Sequence, residues 1–219
     1  VKPVDDGCSS AVKKIKSSNE LEAFSRLIFR SSMELNSEDA FVLGLKPKEE
    51  FPAKNEYLVE ALITSEGADK FLEITGGMLT HFDSAGKISY EVFQPSETLA
   101  GDEVLSLEEK FLAGEGQNIT PARFEMNEIN YESVAKQVRE DLKHAAEILG
   151  VEGYCRIDAF VRIFNNGKAE TIVIEVNSLP GMTPATCIYH QAALNGYKPF
   201  DFIDGILEFS RQKQLRGKH

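Results

Sequence analysis

The sequence has no tryptophan, three cysteines, four histidines and no excess of basic residues. Each shortage removes a class of function. Cys8, Cys155 and Cys187 are odd in number and far apart, so no disulfide framework or CxxC motif is available, and a reducing compartment is expected. His81, His144, His190 and His219 form no close cluster, which leaves no pattern for a zinc site or a catalytic triad. Lysine and arginine total 24 against 35 aspartates and glutamates, a formal charge of −11. Nucleic-acid binding calls for a basic face, so no nucleic-acid partner is expected. An anionic substrate must then be held by local cations or by a metal. No apolar run approaches the roughly 20 residues that span a bilayer, and no signal peptide is recognisable. A membrane partner is therefore not expected, and a cytoplasmic location is.

What is present is ordinary globular material: 219 residues, 42% hydrophobic and 27% charged. That length supports one or two domains with a real core. Val1 to Val4 reads as a strand already under way, so further residues are expected upstream, and Ala11 to Ile15 reads as its return. Ser17 with Glu20 forms a capping box ahead of Leu21, Phe24, Leu27 and Ile28, which recur at helical spacing. The polar stretch 31–55, with Pro47 and Pro52, reads as loop. Strands are expected at Tyr57 to Ile63, at Phe71 to Leu79 around a Gly76-Gly77 pair, and at Ile88 to Phe93. Residues 106–124 read as a long loop, and a loop of that length inside a compact domain usually serves function. Val134, Val138, Leu142, Ala145 and Leu149 mark a helix closed by Gly150. Thr183 is expected to cap another helix with Pro184 at its first position and Gly196 at its end. Asp201 is expected to open a last helix through Ile203, Ile206, Leu207 and Phe209. The mixture predicts an antiparallel sheet with helices packed on it.

Two alternating runs stand out, RIDAFVRIF (156–164) and TIVIEVN (171–177), with Asn165-Asn166-Gly167-Lys168 between them. Asn-Gly is the strongest short hairpin signal, because both central residues of that turn take positive φ. With Asn166-Gly167 in the turn, Asn165 pairs with Lys168 and paired numbers sum to about 333. Asp158 then stands opposite Glu175, and Arg156 opposite Asn177. Period-two alternation puts these four on one face, with Ile157, Ala159 and Val161 on the other beside Ile172, Ile174 and Val176. Two close carboxylates and an amide oxygen suit a hard cation such as Mg²⁺ or Mn²⁺. A solvated face on which Arg156 neutralises Asp158 accounts for the same residues, and the spacing alone leaves both open.

The segments VKPVDDGCSS, SLEEKFLAGEGQNITPA, GYCRIDAF and IEVNSLPGMTP, in this order, resemble the ATP-grasp superfamily and, within it, the D-alanine–D-alanine ligases. The resemblance covers nearly the whole chain and is weak across 31–56. It implies an α+β fold of the ATP-grasp type: two α+β subdomains whose largely antiparallel sheets sandwich ATP. Residues 1–60 correspond to part of the small subdomain and 61–219 to the C-terminal catalytic subdomain. The family's N-terminal substrate domain has no counterpart in this sequence.

By the same resemblance, the implied reaction joins two D-alanines for peptidoglycan precursor synthesis. One carboxylate takes the γ-phosphoryl of ATP to become an acyl phosphate, which the second amine attacks. The implied cofactors are ATP and Mg²⁺ or Mn²⁺, and the implied assembly is a homodimer. Asp158, Glu175 and Asn177 match the metal ligands. Arg156, Lys110, Gly181 and Ser9 match catalytic positions: Arg156 and the Gly181 N–H stabilise the reacting centre, and Lys110 reaches the phosphates. Lys2, Glu60, Ala61, Ile63 and Glu73 match positions that hold ATP, with Glu73 at the ribose. Cys8, Phe111, Gly181, Thr186 and Cys187 match substrate-contacting positions, and the loop 110–121 matches one that closes over the reaction.

Some positions depart from the family. Ala61 replaces a common lysine. Cys8 and Phe111 replace a serine and a tyrosine whose hydroxyls are linked in many members, which keeps D-alanine–D-lactate and D-alanine–D-serine ligation open as alternatives. Another ATP-grasp carboxylate–amine ligase and a non-catalytic ATP-binding fragment are the remaining alternatives. A metal-dependent hydrolase would need a general base that the sequence does not supply.

Overall fold

The computed structural model describes residues 1–6, 10–47, 49–99, 118–126, 130–183 and 186–217. They fall into two compact units, the first comprising Val1–Ile63 and the second Thr64–Leu99 with the described residues from Asn118 onward.

The first unit holds β1 (Lys2–Pro3), α1 (Ser18–Ile28), α2 (Ser37–Val42) and β2 (Tyr57–Leu58). The Ser17 hydroxyl accepts the Glu20 N–H at 3.2 Å and so starts α1. The Glu20 carboxylate reaches back to the Lys16 N–H at 2.6 Å, one residue before the one a capping box uses. Phe24, Leu27 and Ile28 are fully buried and pack with Phe51, and Tyr57 lies edge-on to Phe24 at 5.2 Å. Three expectations are corrected. The strand from Tyr57 stops at Leu58, because β1 is only two residues long and offers nothing further to pair with. Ala11 to Ile15 is not a strand; only Lys13 exchanges backbone bonds with Val1. The stretch 31–55 contains α2, started by the Asn36 side chain accepting from Glu38 and Asp39 and tied to α1 by a bidentate Arg26–Asp39 pair.

In the second unit a six-stranded antiparallel sheet is organised about β3 (Lys70–Phe82). One edge of β3 pairs with β7 (Tyr154–Ile163) along ten residues, and β7 pairs with β8 (Ala169–Asn177). The other edge pairs first with β5 (Ser96–Thr98) and then with β4 (Ile88–Val92), while β5 pairs onward with β6 (Asn118–Ile119). Strands β5 and β6 were not expected; three and two residues are too short to show period-two alternation.

Helix α3 (Tyr131–Leu149) covers one face of the sheet, burying Val134, Ala135, Val138, Leu142 and Ala146 against Ile74, Met78, Ile157 and Val161. Leu149, placed on the apolar stripe by its spacing, is 61% exposed. Helices α4 (Cys187–Leu194) and α5 (Pro199–Arg216) pack around Leu79 and Phe93. Helix α4 begins later than expected, with Thr186 as its N-cap residue; Pro184 lies outside the described residues. Helix α5 begins two residues before Asp201, whose carboxylate accepts the Lys198 N–H at 3.0 Å.

The Gly76-Gly77 pair lets helices approach β3 from both sides. A Cβ on Gly76 would meet Leu142 of α3, and one on Gly77 would lie 2.5 Å from Gln191 Oε1 and 2.9 Å from Ile188 Cγ1 of α4. Elsewhere on the sheet, buried Glu97 of β5 receives the Arg123 guanidinium through two bonds, at 2.8 and 2.5 Å, and the Arg123 N–H at 3.2 Å. The bonds from Arg123 outweigh burial and hold the Glu97 carboxyl below its ordinary range.

Two outcomes follow. Gly77→Ala should cost about 1–3 kcal/mol in urea denaturation, because the locked Gln191 cannot yield space. Glu97→Gln should lower stability at neutral pH. A depressed folded pKa contributes stability above the unfolded value of about 4.3 and loses it as pH falls through the folded value. The gap between parent and variant should therefore narrow below about pH 4, read from melting temperatures across an acid series.

Candidate active site on the β7–β8 hairpin

The hairpin reaches its expected register by an unexpected route. The turn is a three-residue loop, Asn165 to Gly167, in which Gly167 has φ +80° and Asn166 is not in the positive-φ region. Phe164 pairs with Lys168, and the Gly167 N–H donates to the Phe164 carbonyl at 2.9 Å. Near the turn, Ile163 therefore faces Ala169 and Ala159 faces Val173, one residue out of the expected pairing. A bulge between the Asp158 and Ala159 pairs absorbs Ile174 and restores the register. Beyond it Asp158 stands opposite Glu175 and Arg156 opposite Asn177, as expected. The apolar grouping is corrected, because the bulge inverts the alternation: Ile172 pairs with Phe160, on the face that carries Asp158.

On that face the four polar residues form one connected group. The Arg156 guanidinium donates to Asp158 through Nε and Nη2, both at 3.0 Å. The Thr75 hydroxyl on β3 donates to Asp158 Oδ1 at 2.6 Å, and Asn177 Nδ2 donates to Oδ2 at 3.0 Å. The same Asn177 amide nitrogen lies 3.4 Å from Glu175 Oε1. Four donors thus converge on one carboxylate. Burial opposes the Arg156 charge, yet the hydrogen bonds and attraction of Asp158 outweigh it and raise the Arg156 pKa above its ordinary value. Glu175 is exposed, while Asp158 is only 16% accessible at its side chain.

Other residues singled out in the sequence divide between the two units. Glu73 sits on β3 opposite Phe160, two residues from Thr75 and so on the face that carries Asp158. Cys187 opens α4, is 8% exposed and lies close enough to Thr75 and Arg156 to feel both. Burial is the largest influence on its thiol and pushes the pKa up, which argues for packing rather than redox chemistry. Gly181 is exposed after β8, and a Cβ added to it would lie 3.7 Å from Thr186 Cγ2. The Thr186 hydroxyl donates to the Thr183 carbonyl at 2.7 Å. In the first unit, Lys2 forms an ion pair with Glu60 at 2.9 Å, so two residues matched to the ATP site meet; Ala61 is exposed and Ile63 partly buried. Cys8, Ser9, Lys110 and Phe111 lie outside the described residues, as does most of the loop 110–121.

Among the described residues no three His, Cys, Asp or Glu side chains form a group able to hold a metal. The candidate set is instead two carboxylates and one amide, an all-oxygen donor set that fits Mg²⁺. To serve one cation, Asp158 has to be released by one of its donors, and the Asn177 amide, whose Nδ2 faces both carboxylates, has to turn to present Oδ1. Thr75 and Gln191 were missed by sequence reasoning. Thr75 joins the site only through the β3–β7 pairing, a contact between residues 83 apart. Gln191 left a clue, a polar residue within the apolar helix CIYHQAAL.

The model of the D-ala D-ala ligase C-terminus family matches residues 52–208, and the chain belongs to that family. A D-alanine–D-alanine ligase of Leptospira interrogans is 28% identical over 98% of this chain and 50% of its own length. One from Chlorobaculum tepidum is 27% identical over 98% of this chain and 47% of its own. The chain spans about half the length of the curated relatives it matches. Among solved structures, the Bacillus anthracis D-alanine–D-alanine ligase complexed with ATP is 20% identical, with a TM-score of 0.45 over 68% of this chain and 40% of that one.

Asp158→Asn should leave the half-buried Arg156 guanidinium facing a neutral amide. The expected loss is about 1–3 kcal/mol in denaturant unfolding. Arg156→Met, which removes the cation together with its need for a partner, should not worsen the loss in the double variant.

Proposed function

We propose that the protein is an ATP-dependent carboxylate–amine ligase that joins two D-alanines through an acyl phosphate. The observation that carries this reading is the Asp158–Arg156–Asn177–Glu175 group on one face of the β7–β8 hairpin, in a chain of the D-ala D-ala ligase C-terminus family. The names of the relatives support the choice of D-alanine for both positions, and the ATP complex of the Bacillus anthracis relative supports ATP. The cytoplasm, with its ATP, suits this chemistry, and among the described residues no helix is long and apolar enough to cross a membrane.

Phosphoryl transfer asks a protein mainly for positioning and charge neutralisation. Asp158, Glu175 and Asn177 would hold Mg²⁺, which would supply positive charge against the phosphates. Asp158 can serve a cation only with an oxygen that Arg156, Thr75 or Asn177 gives up. If Arg156 yields, the same event frees its guanidinium for an anionic phosphoryl group. Pairing with Asp158 meanwhile keeps the Arg156 guanidinium pre-placed. Gly181 offers a backbone N–H to the reacting oxyanion, a kind of donor worth on the order of 100-fold or more in rate. Glu73 serves the ribose, and Lys2, Glu60, Ala61 and Ile63 the rest of the nucleotide. Thr186 and Cys187 stand at the start of α4 for the acceptor. Lys110, Ser9, Cys8 and Phe111 complete the proposed set.

The protein is to be incubated with ATP and Mg²⁺, with D-alanine alone and with D-alanine plus D-lactate, following phosphate and product mass. D-alanine-dependent phosphate release with the mass of the dipeptide is expected. Absence of that release overturns the reading, and a depsipeptide mass moves the acceptor to D-lactate. Glu175→Gln should reduce turnover by on the order of 100-fold or more with the fold retained; undiminished turnover removes Glu175 from the metal set.

A further inference from the structure

Strand β3 has a gap along one edge. Strand β5 pairs with it through Glu73–Thr75 and β4 through Met78–Phe82, and the segment Phe93-Gln94-Pro95 crosses between them. Pro95 has no N–H to offer a ladder. The gap would strand the Thr75 carbonyl and the Gly77 N–H in the interior, where an unmade backbone bond costs about 1–3 kcal/mol. Gln191 of α4 fills it. Its side chain is fully buried; Oε1 accepts the Gly77 N–H at 2.8 Å, and Nε2 donates to the Thr75 carbonyl at 2.7 Å and to Ser96 Oγ at 2.9 Å. One side-chain amide stands in for the missing peptide group and satisfies both β3 atoms.

The two residues it grips are those that face the candidate active site. Thr75 pairs with Asp158 across β3–β7, and Gly77 pairs with Arg156. Thr75 also gives its hydroxyl to Asp158. At the other end of the connection, Gln191 lies four residues, about one helical turn, after Cys187 and five after Thr186. We infer that Gln191 is a positioning residue that sets the α4 N-terminus, carrying Thr186 and Cys187, at a fixed distance from the Arg156–Asp158 pair. It thereby holds the acceptor substrate in line with the phosphorylated one. The inference rests on the ligase reading above. Gln191 touches neither substrate; it acts through Thr75, Gly77 and its own helix. A misplacement of about 1 Å between reacting groups can cost on the order of 100-fold in rate, which gives such a strut kinetic weight.

The test is the separation of the two Michaelis constants in Gln191→Met, which keeps the bulk and loses all three bonds. With folding checked by circular dichroism, the KM for acceptor D-alanine should rise roughly tenfold or more while the KM for ATP stays within about twofold. A loss confined to the amount of folded protein, with both constants unchanged, overturns the inference. If Gln191→Met does not fold, Ser96→Ala removes just one of the bonds; a rise in acceptor KM with ATP KM unchanged upholds the strut, and no change overturns it. The parent is assayed first. A parent with no D-alanine-dependent phosphate release defeats the ligase reading and this inference with it, whereas an active parent whose variants show no split defeats the inference alone.

Discussion

Every backbone polar group along β3 has to find a partner, and that requirement organises the second unit. Ten of its residues pair with β7; on the other edge β5 meets Glu73–Thr75 and β4 meets Met78–Phe82, the Phe93 N–H answers the Gly77 carbonyl, and a glutamine from α4 answers the Gly77 N–H and the Thr75 carbonyl. The side-chain arrangement follows from this pairing. Thr75 is near Asp158 because their residues are paired, and Gln191 can enter the sheet edge because Gly77 carries no Cβ. The interior of this unit is therefore continuous with its candidate site. Leu142 and Ile188 press on neighbouring glycines from opposite faces, and the polar group sits one strand away.

Charge follows the same economy. The chain carries a formal charge of −11, yet the carboxylates with structural importance are met by cations or amides. Asp39 is met by Arg26, Glu97 by Arg123 and Asp158 by Arg156. The first two ion pairs join elements of the fold. The third lies within a single strand, between residues two apart, and joins nothing that β7 does not already hold. An ion pair that adds no connection to the fold is free to change partners at small structural cost, which suits a residue pair whose proposed task is to separate.

The sequence made the long, strongly patterned elements legible. Helices α1 and α3 announced themselves by spacing, β7 and β8 by alternation and by the Asn-Gly turn, and β3 as a strand around its glycine pair. The strands too short to have a period, β5 and β6, and the six-residue α2 within a polar stretch did not. The polar face was legible because Arg156, Asp158, Glu175 and Asn177 lie on two strands joined by one turn. Thr75 and Gln191 were not, because each enters through pairings 83 and 116 residues apart in the chain. The start of α4 was misplaced because Thr-Pro is a strong start signal and the helix nevertheless begins at Cys187.

The two irregularities of the hairpin cancel. The extra residue in the turn moves β8 one position along β7, and the bulge at Ile174 moves it back before the strand reaches Glu175. The offset is confined to the stretch between them, where it re-faces Ile172 and Val173. Removing residue 174 alone would close the bulge and still leave Asp158 opposite Glu175. Shortening the turn to two residues would still leave Phe164 opposite Lys168 and every later pair unchanged. The site end of the hairpin is thus insulated from a one-residue change of length at either irregularity.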